Sequence, residues 1–321
     1  MDKQFISIII PTYNRKNTLA GCIDSIIKQN YPASGFELII VNDESSDGTY
    51  EFVNEYIKRL PFKSRVINQK HLGPSIARNK AIDESRGPII AFTEDDVILD
   101  ENWLSKGSRH FNNDEISAVE GVTKYLNTQK PIRRLEKQYQ LGFLPLNIMY
   151  RKDIFIKIGG YDPSFYEEKL NTYFREDIEL GFRLLSSGQK AIIDPEMVVY
   201  HPKQYQTIKG AYDHAKRYYF DPLLYKKHPA LFRQRIESKK IGLFRFQRPL
   251  HYLSLASLLL FILTIFNLKF GILFLLTNTG YCVKYEIKNP LDYFKLLPLP
   301  FFYLWYFLKG CFKFKSYKAI I

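Results

Sequence analysis

Residues 7–15 have the sequence SIIIPTYNR, and this stretch decides the class of fold. Ser7 to Ile10 is a short apolar run, which is typical of a strand buried on both faces of a parallel sheet. A helical pattern follows it, and strand-like and helix-like segments then alternate as far as Thr93. The further strands are predicted at Glu37–Val41, Arg65–Ile67 and Pro88–Thr93. This order predicts an α/β fold with a mainly parallel, Rossmann-like sheet and helices on both faces.

Polar segments follow three of the predicted strands at the points where those strands end. They are residues 11–15, 42–48 and 94–96. Ligands of such sheets bind beyond the carboxyl ends of the strands, so the three segments are expected to meet at one binding edge. The first strand-to-helix turn contains no glycine, so the pyrophosphate cradle of dinucleotide-binding folds is absent, and the same gap counts against a P-loop. A nucleoside diphosphate bound here would instead need a metal ion held by carboxylates.

The composition predicts a folded protein rather than a disordered or cysteine-stapled one. Of 321 residues, 46% are hydrophobic and 25% are charged, which is enough for a packed core. The three cysteines, Cys22, Cys282 and Cys311, lie far apart in the sequence, which excludes a disulfide framework and a zinc ribbon. Pro11 stops the first apolar run before it reaches the length of a signal peptide, so the N-terminal part is expected in the cytosol.

Basic residues and long apolar runs are concentrated in the last part of the chain. The net charge is +13, and residues 241–321 contribute +8 of it. Residues 249–268 carry no formal charge with His251 neutral, and their length is close to one membrane span. Residues 270–283 and 296–308 form two further apolar runs. Positive charge beside apolar runs favours an anionic membrane surface, rather than nucleic acid, as the partner.

The distribution of charge predicts how this region is arranged. Two spans with the third run lying at the surface keep every basic cluster on the cytoplasmic side of a membrane. We therefore expect a C-terminal helical membrane-associated region and a sheet domain on the cytoplasmic face. The alternative is a helical subdomain that does not enter a membrane. The expected domains are 1–205, a basic helical linker at 206–248, and a membrane hairpin with an interfacial helix at 249–321.

An ordered set of motifs resembles that of the family 2 glycosyltransferases. The matching segments are residues 7–15, 41–49, 73–79, 92–96, 147–151, 159–162, 175–177 and 199–201. A single segment would be weak support, whereas the whole set in the family's order is specific. The resemblance implies a GT-A fold, a catalytic domain over residues 1–205, and transfer of a sugar from a nucleotide-sugar donor with inversion at the anomeric carbon.

The resemblance implies donor-binding roles for residues at the edge of the sheet. Asp43 matches the acid that hydrogen-bonds the nucleotide base, with Thr12 and Glu44 lining the same pocket. The alternative for Asp43 is an Asx turn or helix cap, a role that suits Asp47 better. Arg78 matches an arginine on the donor side, and its alternative is a solvated position on a helix.

The acidic segment after the fourth strand resembles the family's Asp-x-Asp element. Asp96 is the main expected ligand of Mg²⁺ or Mn²⁺, which prefer hard oxygen ligands. Glu94 stands where an aspartate is more usual and is expected at the donor ribose, and Asp95 shares either task. His201 matches a histidine that completes the metal site in some relatives, the alternative being a structural histidine at a strand end. The metal would stabilise the charge on the departing nucleoside diphosphate.

A second acidic pair carries the expected catalytic base. Asp177 matches the acid that removes the proton of the acceptor hydroxyl, and Glu176 is expected to orient the acceptor or the base. The alternative is that both acids simply favour the positive end of a helix. Asn147 is expected to contact the donor sugar or the acceptor.

The sequence therefore predicts an inverting, metal-dependent glycosyltransferase that moves one sugar from a nucleotide-sugar donor to a hydroxyl of a lipid-linked or membrane-bound acceptor. A sugar nucleotidyltransferase is an alternative, although its usual glycine-rich loop is absent. A non-catalytic membrane scaffold with a degenerate transferase domain is another. A processive synthase is disfavoured, because the sequence lacks the Gln-x-x-Arg-Trp element of such enzymes.

Overall fold

A computed structural model describes residues 4–126, 141–202, 207–237, 239–241, 244–246, 249–284 and 290–319. The chain divides into two compact units. One, here called the sheet unit, comprises residues 1–166 and 176–203. The other, the helical unit, comprises residues 167–175 and 204–321. The domain borders predicted at residues 205 and 248 stay a prediction.

The strands of the described residues are β1 Ile6–Thr12, β2 Phe36–Asp43, β3 Lys63–Gln69, β4 Ile89–Thr93, β5 Ile98–Leu99, β6 Ile116–Tyr125, β7 Asn147–Arg151, β8 Tyr166–Glu167, β9 Thr172–Tyr173, β10 Lys190–His201, β11 Lys239–Ile241 and β12 Phe244–Phe246. Eight of them form the sheet of the sheet unit, in the order β3-β2-β1-β4-β7-β6-β10-β5. The four strands predicted up to Thr93 are confirmed as β1 to β4. They pair in parallel, with β1 between β2 and β4.

The second half of the sheet is mixed in direction. Strand β7 runs antiparallel to both of its neighbours, β4 and β6, and β5 runs antiparallel to β10. Strand β10 pairs with β6 in parallel and has a register shift between Asp194 and Val198. Local periodicity predicts where a strand lies, but its direction depends on pairing with residues far away in the sequence, which is why the mixed part was not predicted.

Helices cover both faces of the sheet. Those of the sheet unit are α1 Lys16–Ile27, α2 Thr49–Tyr56, α3 Pro74–Glu84, α4 Trp103–Ser108, α5 Lys152–Lys157 and α6 Glu176–Ser186. On one face, Ile8 and Ile10 pack with Ile23 of α1. On the other, Ile9 packs with Ala77 of α3. Successive strand residues point to opposite faces, so a strand covered on both sides must be apolar at every position.

The helical unit contains most of the C-terminal third of the chain. Its helices are α7 Ile208–Lys216, α8 Asp221–Lys227, α9 Pro229–Leu231, α10 Pro249–Thr264, α11 Lys269–Lys284, α12 Pro290–Leu296 and α13 Leu299–Phe314. Aromatic contacts hold it together; the Tyr218 and Tyr303 rings lie 4.8 Å apart. Arg175 and Asp221 form an ion pair at 2.7 Å with side chains only 2% and 1% exposed.

The predicted membrane spans correspond to helices α10 and α11. Each contains 16 residues, whereas about 20 predominantly apolar residues are needed to cross the hydrocarbon core. Among the residues that the structure describes, no helix combines the length and the apolar character that crossing a membrane requires. The predicted spanning hairpin therefore finds no support in the structure.

Candidate active site

The parallel strands bring the predicted site residues to one edge of the sheet unit. Thr12 ends β1, Asp43 ends β2, and Glu94 directly follows β4. Because β1 lies between β2 and β4, these three strand ends are neighbours. A parallel sheet thus places at one edge residues that are widely separated in the sequence.

Hydrogen-bond and ion-pair partners surround the acids of the segment 94–96. Asp95 accepts a hydrogen bond from the Thr12 hydroxyl at 2.6 Å. Arg15 Nη1 lies 3.5 Å from an Asp96 oxygen. Arg78 Nη2 lies 3.7 Å from a Glu94 oxygen. These partners keep three adjacent carboxylates at separate positions around one edge.

Glu94, Asp96 and His201 form a group that fits a divalent metal. Each offers one ligand atom, and the three atoms lie within 4.8 Å of one another. His201 Nδ1 donates to the Pro202 carbonyl at 2.7 Å, which leaves Nε2 as the ligand nitrogen. Nε2 lies 3.5 Å from Asp96 Oδ1, an oxygen that has no hydrogen-bond partner among the described residues. Two carboxylates and an imidazole are a donor set that suits Mn²⁺ and tolerates Mg²⁺.

The protonation of the acidic segment also indicates a place for a cation. Burial raises the pKa of Asp95 to about 7, and the charges of Asp96 and Glu94 add to this against the Thr12 hydrogen bond and Arg15. Burial raises the pKa of Glu94 as well. Adjacent carboxylates that repel one another become fully ionised when a cation compensates their charge. The segment therefore fits the metal that its residue types predict.

Asp43 holds a loop in place at the end of β2. Its carboxylate accepts from the amides of Leu72 and Gly73 at 3.0 Å each and from Gln69 Nε2 at 2.6 Å. His71 Nδ1 lies 3.0 Å from the same carboxylate. Asp43 is therefore neither an Asx-turn nor a helix-cap residue. Its expected contact with a nucleotide base stays a prediction.

The neighbouring acids after β2 have more local roles. Asp47 accepts from the Thr49 amide at 3.0 Å ahead of α2, as the sequence predicted. Gly48 between them has a φ of +82°, which a residue with a side chain rarely adopts. Glu44 is exposed and accepts from the His71 amide at 3.1 Å.

An aromatic pair beside Asp43 was not predicted. The rings of Tyr13 and His71 are stacked with centroids 4.0 Å apart and an angle of 26° between the planes. The Tyr13 side chain is 42% exposed, so a flat apolar surface is open to a ligand. Tyr13 lies in the SIIIPTYNR stretch, where an aromatic residue after a strand end is a usable signal. The sequence around His71 contains no such signal, because the position of His71 depends on how Asp43 holds the loop.

Arg78 is buried, not solvated as its alternative interpretation required. The residue is 2% exposed, and its guanidinium carbon lies 5.5 Å from the centre of the Tyr161 ring. Its Nε and Nη1 have no hydrogen-bond partner within the described part of the chain. Buried polar groups are nearly always paired, and a guanidinium binds phosphate and carboxylate oxygens well. Arg78 is therefore suited to binding an anion at this edge.

The expected base and its neighbour begin helix α6. Glu176 is 4% exposed, whereas Asp177 is half-buried and accepts from the Ile178 amide at 2.7 Å. Burial raises the pKa of the Tyr161 hydroxyl, and carboxylates of α6 and of Glu94 add to this against Arg78. The acid that follows β4 and the acids at the start of α6 thus all raise the pKa of the same tyrosine, Tyr161. The roles of Asp177 as base and of Glu176 as orienting residue stay predictions.

Two side chains hold the turn that precedes these acids. Asn79 of α3 bonds both the amide and the carbonyl of Tyr161, at 2.9 and 2.7 Å. Arg183 of α6 donates to the carbonyl of Gly160 at 2.6 Å. Gly160 has a φ of +63° and lies close to Asn79, so a side chain there would be strained and crowded. These contacts hold the turn at Tyr161 against helices α3 and α6.

Asn147 does not have the role that was expected of it. It is 1% exposed, and its side chain accepts from Trp103 Nε1 at 2.8 Å. Its amide donates to the carbonyls of Val122 and Met197 at 3.1 Å each. The side chain links three strands and helix α4 in the interior, so its expected contact with donor sugar or acceptor is not supported.

Comparison with known sequences agrees with these features. The family model described as glycosyl transferase family 2 matches residues 7–179. Glycosyltransferase AglE of Haloferax volcanii is 30% identical over 121 residues, which cover 38% of this chain and 40% of that protein. The Escherichia coli protein named UDP-Glc:alpha-D-GlcNAc-diphosphoundecaprenol beta-1,3-glucosyltransferase WfgD is 34% identical over 131 residues, 40% of this chain and 49% of that one. The chain thus spans less than half the length of either relative.

Solved structures resemble the whole chain in fold. The mannosyltransferase PcManGT of Pyrobaculum calidifontis, solved with GDP-Man and Mn²⁺, has a TM-score of 0.64 over 97% of this chain and 88% of that one. Residues 1–349 of S. aureus TarS, solved with UDP, give 0.51 over 99% of this chain and 92% of that one. Both are 16% identical to this chain. The family model covers more than half of the chain, which therefore belongs to glycosyl transferase family 2.

Proposed function

We propose that this glycosyltransferase moves one sugar, with inversion, from a nucleotide-sugar donor to a hydroxyl of a lipid-linked or membrane-bound acceptor, with a divalent metal as cofactor. The observation that carries the proposal is the group of Glu94, Asp96 and His201 beside the buried guanidinium of Arg78. Together these residues provide a metal site and a fixed positive charge, the two features that an anionic leaving group needs.

The donor diphosphate is the part of the substrate that this edge would bind. Glu94, Asp96 and His201 would hold Mg²⁺ or Mn²⁺, which as a Lewis acid would stabilise the negative charge on the departing nucleoside diphosphate. Arg78 adds hydrogen-bond donors from its unpaired Nε and Nη1. The solved neighbour with GDP-Man and Mn²⁺ supports this assignment.

The exposed Tyr13 ring, stacked on His71, is a surface for the donor base. Asp43 binds the loop that carries His71 and so keeps this surface in shape. The neighbour solved with UDP supports a nucleotide donor.

The transfer itself is a single displacement. The acceptor oxygen attacks the anomeric carbon as the bond from that carbon to the diphosphate oxygen breaks, and the acceptor proton passes to the Asp177 carboxylate. Attack from the side opposite the leaving group inverts the configuration, and no covalent sugar–enzyme intermediate is needed. Glu176, buried beside Asp177, orients the base.

The acceptor class rests on similarity and on the C-terminal composition. WfgD, one of the relatives, has a name that specifies a diphosphoundecaprenol-linked acceptor. A membrane location with the sheet unit on the cytoplasmic face belongs to the same proposal.

The test is Mn²⁺-dependent binding of UDP- and GDP-sugars by calorimetry, followed by transfer to lipid-linked acceptors. Asp177→Asn should bind donor within about twofold of wild type and lose at least about 100-fold in transfer rate. His201→Ala should weaken Mn²⁺ binding by about tenfold or more, because one of three ligands is removed. Chelation by EDTA should stop transfer.

Asp153→Asn is the matched control for the base, since Asp153 also lies in the first turn of a helix of the sheet unit and is exposed. This control should transfer sugar as the wild type does. Wild-type turnover by Asp177→Asn would refute the assigned base, and unchanged turnover in EDTA would refute the metal. Release of pyrophosphate would favour a nucleotidyltransferase, and failure to bind any nucleotide sugar with Mn²⁺ would favour a non-catalytic scaffold.

A further inference from the structure

A helical hairpin in the helical unit exposes an apolar tip. It consists of α10 and α11 joined by residues 265–268. The tip residues are exposed to an unusual extent, Ile265 by 77%, Phe266 by 80%, Leu268 by 83% and Ile272 by 64%. Lys269 is the one charged side chain between residues 249 and 283, with His251 neutral. A large exposed apolar patch of this kind marks a surface for a partner protein or a membrane.

The hairpin packs against α13 through a cluster of phenylalanine rings, whereas several of its other described side chains are exposed. The Phe261 and Phe274 rings lie 5.6 Å apart, and Phe301 of α13 lies 5.6 Å from Phe261. Away from this contact, Leu259 and Leu276 are each 58% exposed. A helix that is apolar all round is normally surrounded by protein or by lipid.

The turn at the tip satisfies most of its own backbone groups. The amides of Ile265, Phe266 and Asn267 donate to carbonyls of the preceding helical turn at 3.0 to 3.1 Å. The Lys269 amide donates to Asn267 Oδ1 at 3.0 Å. An unpaired amide is strongly disfavoured in hydrocarbon, so this pairing is what a segment that enters lipid needs.

The charge of the chain favours lipid over a second copy as the occupant. The helical unit has 21 Lys and Arg against 7 Asp and Glu, a net charge of +14, whereas the sheet unit has 25 against 26, a net charge of −1. The unit that carries the apolar tip thus carries the basic excess of the whole chain. An anionic bilayer complements this charge, whereas two helical units would repel each other.

We propose that the hairpin tip, residues 265–272, inserts into one leaflet of an anionic bilayer without crossing it. The apolar side chains enter the acyl region, and the basic residues of the helical unit interact with lipid headgroups. The proposal does not depend on the transferase reaction, because vesicle binding requires neither donor nor acceptor.

The test is co-sedimentation of the full chain with vesicles of phosphatidylcholine containing about 30% phosphatidylglycerol. The tip variant is Phe266→Gln with Leu268→Gln, and it should lose at least about tenfold in vesicle affinity. The matched control is Ile27→Gln with Ile156→Gln, two exposed residues of the sheet unit, which should bind as the wild type does. Binding of the wild type should also weaken on pure phosphatidylcholine and at about 0.5 M salt.

A second variant keeps the proposal testable if the double change impairs folding. Phe266→Trp should bind vesicles, and the emission of its added indole should shift to the blue on binding. Wild-type protein that stays in solution, a tip variant that binds like the control, or an indole emission that does not shift in the Phe266→Trp variant would each overturn the proposal. Light scattering that finds a dimer lost in the tip variant, without vesicle binding, would overturn it in favour of an interface between two copies.

Discussion

Replacing Asn147 by alanine tests whether this residue is structural, as its contacts indicate, or part of the substrate site. The substitution removes one hydrogen-bond acceptor and two donors from the interior of the sheet unit. Trp103 Nε1 is left unpaired on a residue that is 0% exposed, and the carbonyls of Val122 and Met197 each lose a partner. An unsatisfied buried group costs about 1–3 kcal/mol. Counting mainly the unpaired indole N–H, a total loss of about 3 kcal/mol is expected.

Tryptophan fluorescence in urea measures this loss in the sheet unit. Trp103 is fully buried, whereas Trp305 is 62% exposed, so most of the change on unfolding reports on Trp103. With a denaturant slope of about 3 kcal/mol per molar, a loss of 3 kcal/mol lowers the urea midpoint by ~1 M. In the folded variant, the affinity for a nucleotide sugar with Mn²⁺ should stay within about twofold of wild type.

Asn54→Ala is the matched control, because Asn54 is exposed on helix α2 and alanine is a better helix former. It should change the free energy of unfolding by no more than about 0.5 kcal/mol. The reasoning is refuted if Asn147→Ala unfolds at the wild-type midpoint. It is also refuted if the variant keeps its stability but loses donor affinity by tenfold or more, since Asn147 would then act on the ligand.

The remaining predictions concern packing, acid stability and a buried ion pair. Gly181→Ala should lower the free energy of unfolding by about 2 kcal/mol, and the melting temperature by several degrees, because the new Cβ would lie 2.0 Å from the Phe143 ring. The control Gly21→Ala should be neutral or stabilising, because its new Cβ would meet the nearest atom at 3.4 Å. Burial would raise the pKa of Glu37, but its hydrogen bonds and a neighbouring arginine outweigh this and hold the pKa below the usual value. The carboxylate therefore stabilises the fold above the unfolded pKa, and this contribution is lost as the pH falls through the folded pKa. In chemical denaturation the wild type should lose its advantage in stability over Glu37→Gln in acid, and a difference that stays constant with pH would contradict this. Asp221→Ala should destabilise the helical unit by about 3–5 kcal/mol in calorimetry, because it removes the carboxylate that lies 2.7 Å from the buried Arg175 guanidinium. A loss below about 1 kcal/mol would show that the pair is not needed.

Local sequence signals were sufficient for the first half of the sheet and for the acids at its edge. Strands β1 to β4 are apolar runs bounded by polar turns, and both properties can be seen within a window of a few residues. Asp47 could be assigned to its turn in the same way, because the hydrogen bond that defines the turn spans two residues. These features depend on neighbours in the sequence, so the sequence predicts them.

Long-range contacts decided the features that were missed. His71 joins the site because Asp43 holds its loop, and Asn147 leaves it because Trp103 needs a buried acceptor. Neither contact has a local signature, since the partners are 28 and 44 residues apart. The burial of Arg78 depends in the same way on the aromatic ring of a distant turn.

The sequence by itself determined the family, the apolar strands and the acids after β4, because each is a matter of residue type and spacing along the chain. The tertiary structure decided which of those residues are neighbours. It brings His201 of β10 to within 3.5 Å of Asp96, runs β7 antiparallel to β4, and divides the chain into a nearly neutral sheet unit and a basic helical unit. The physical reason is that strand pairing and side-chain burial are chosen by the free energy of the whole fold, whereas periodicity and turn chemistry are set within a few residues.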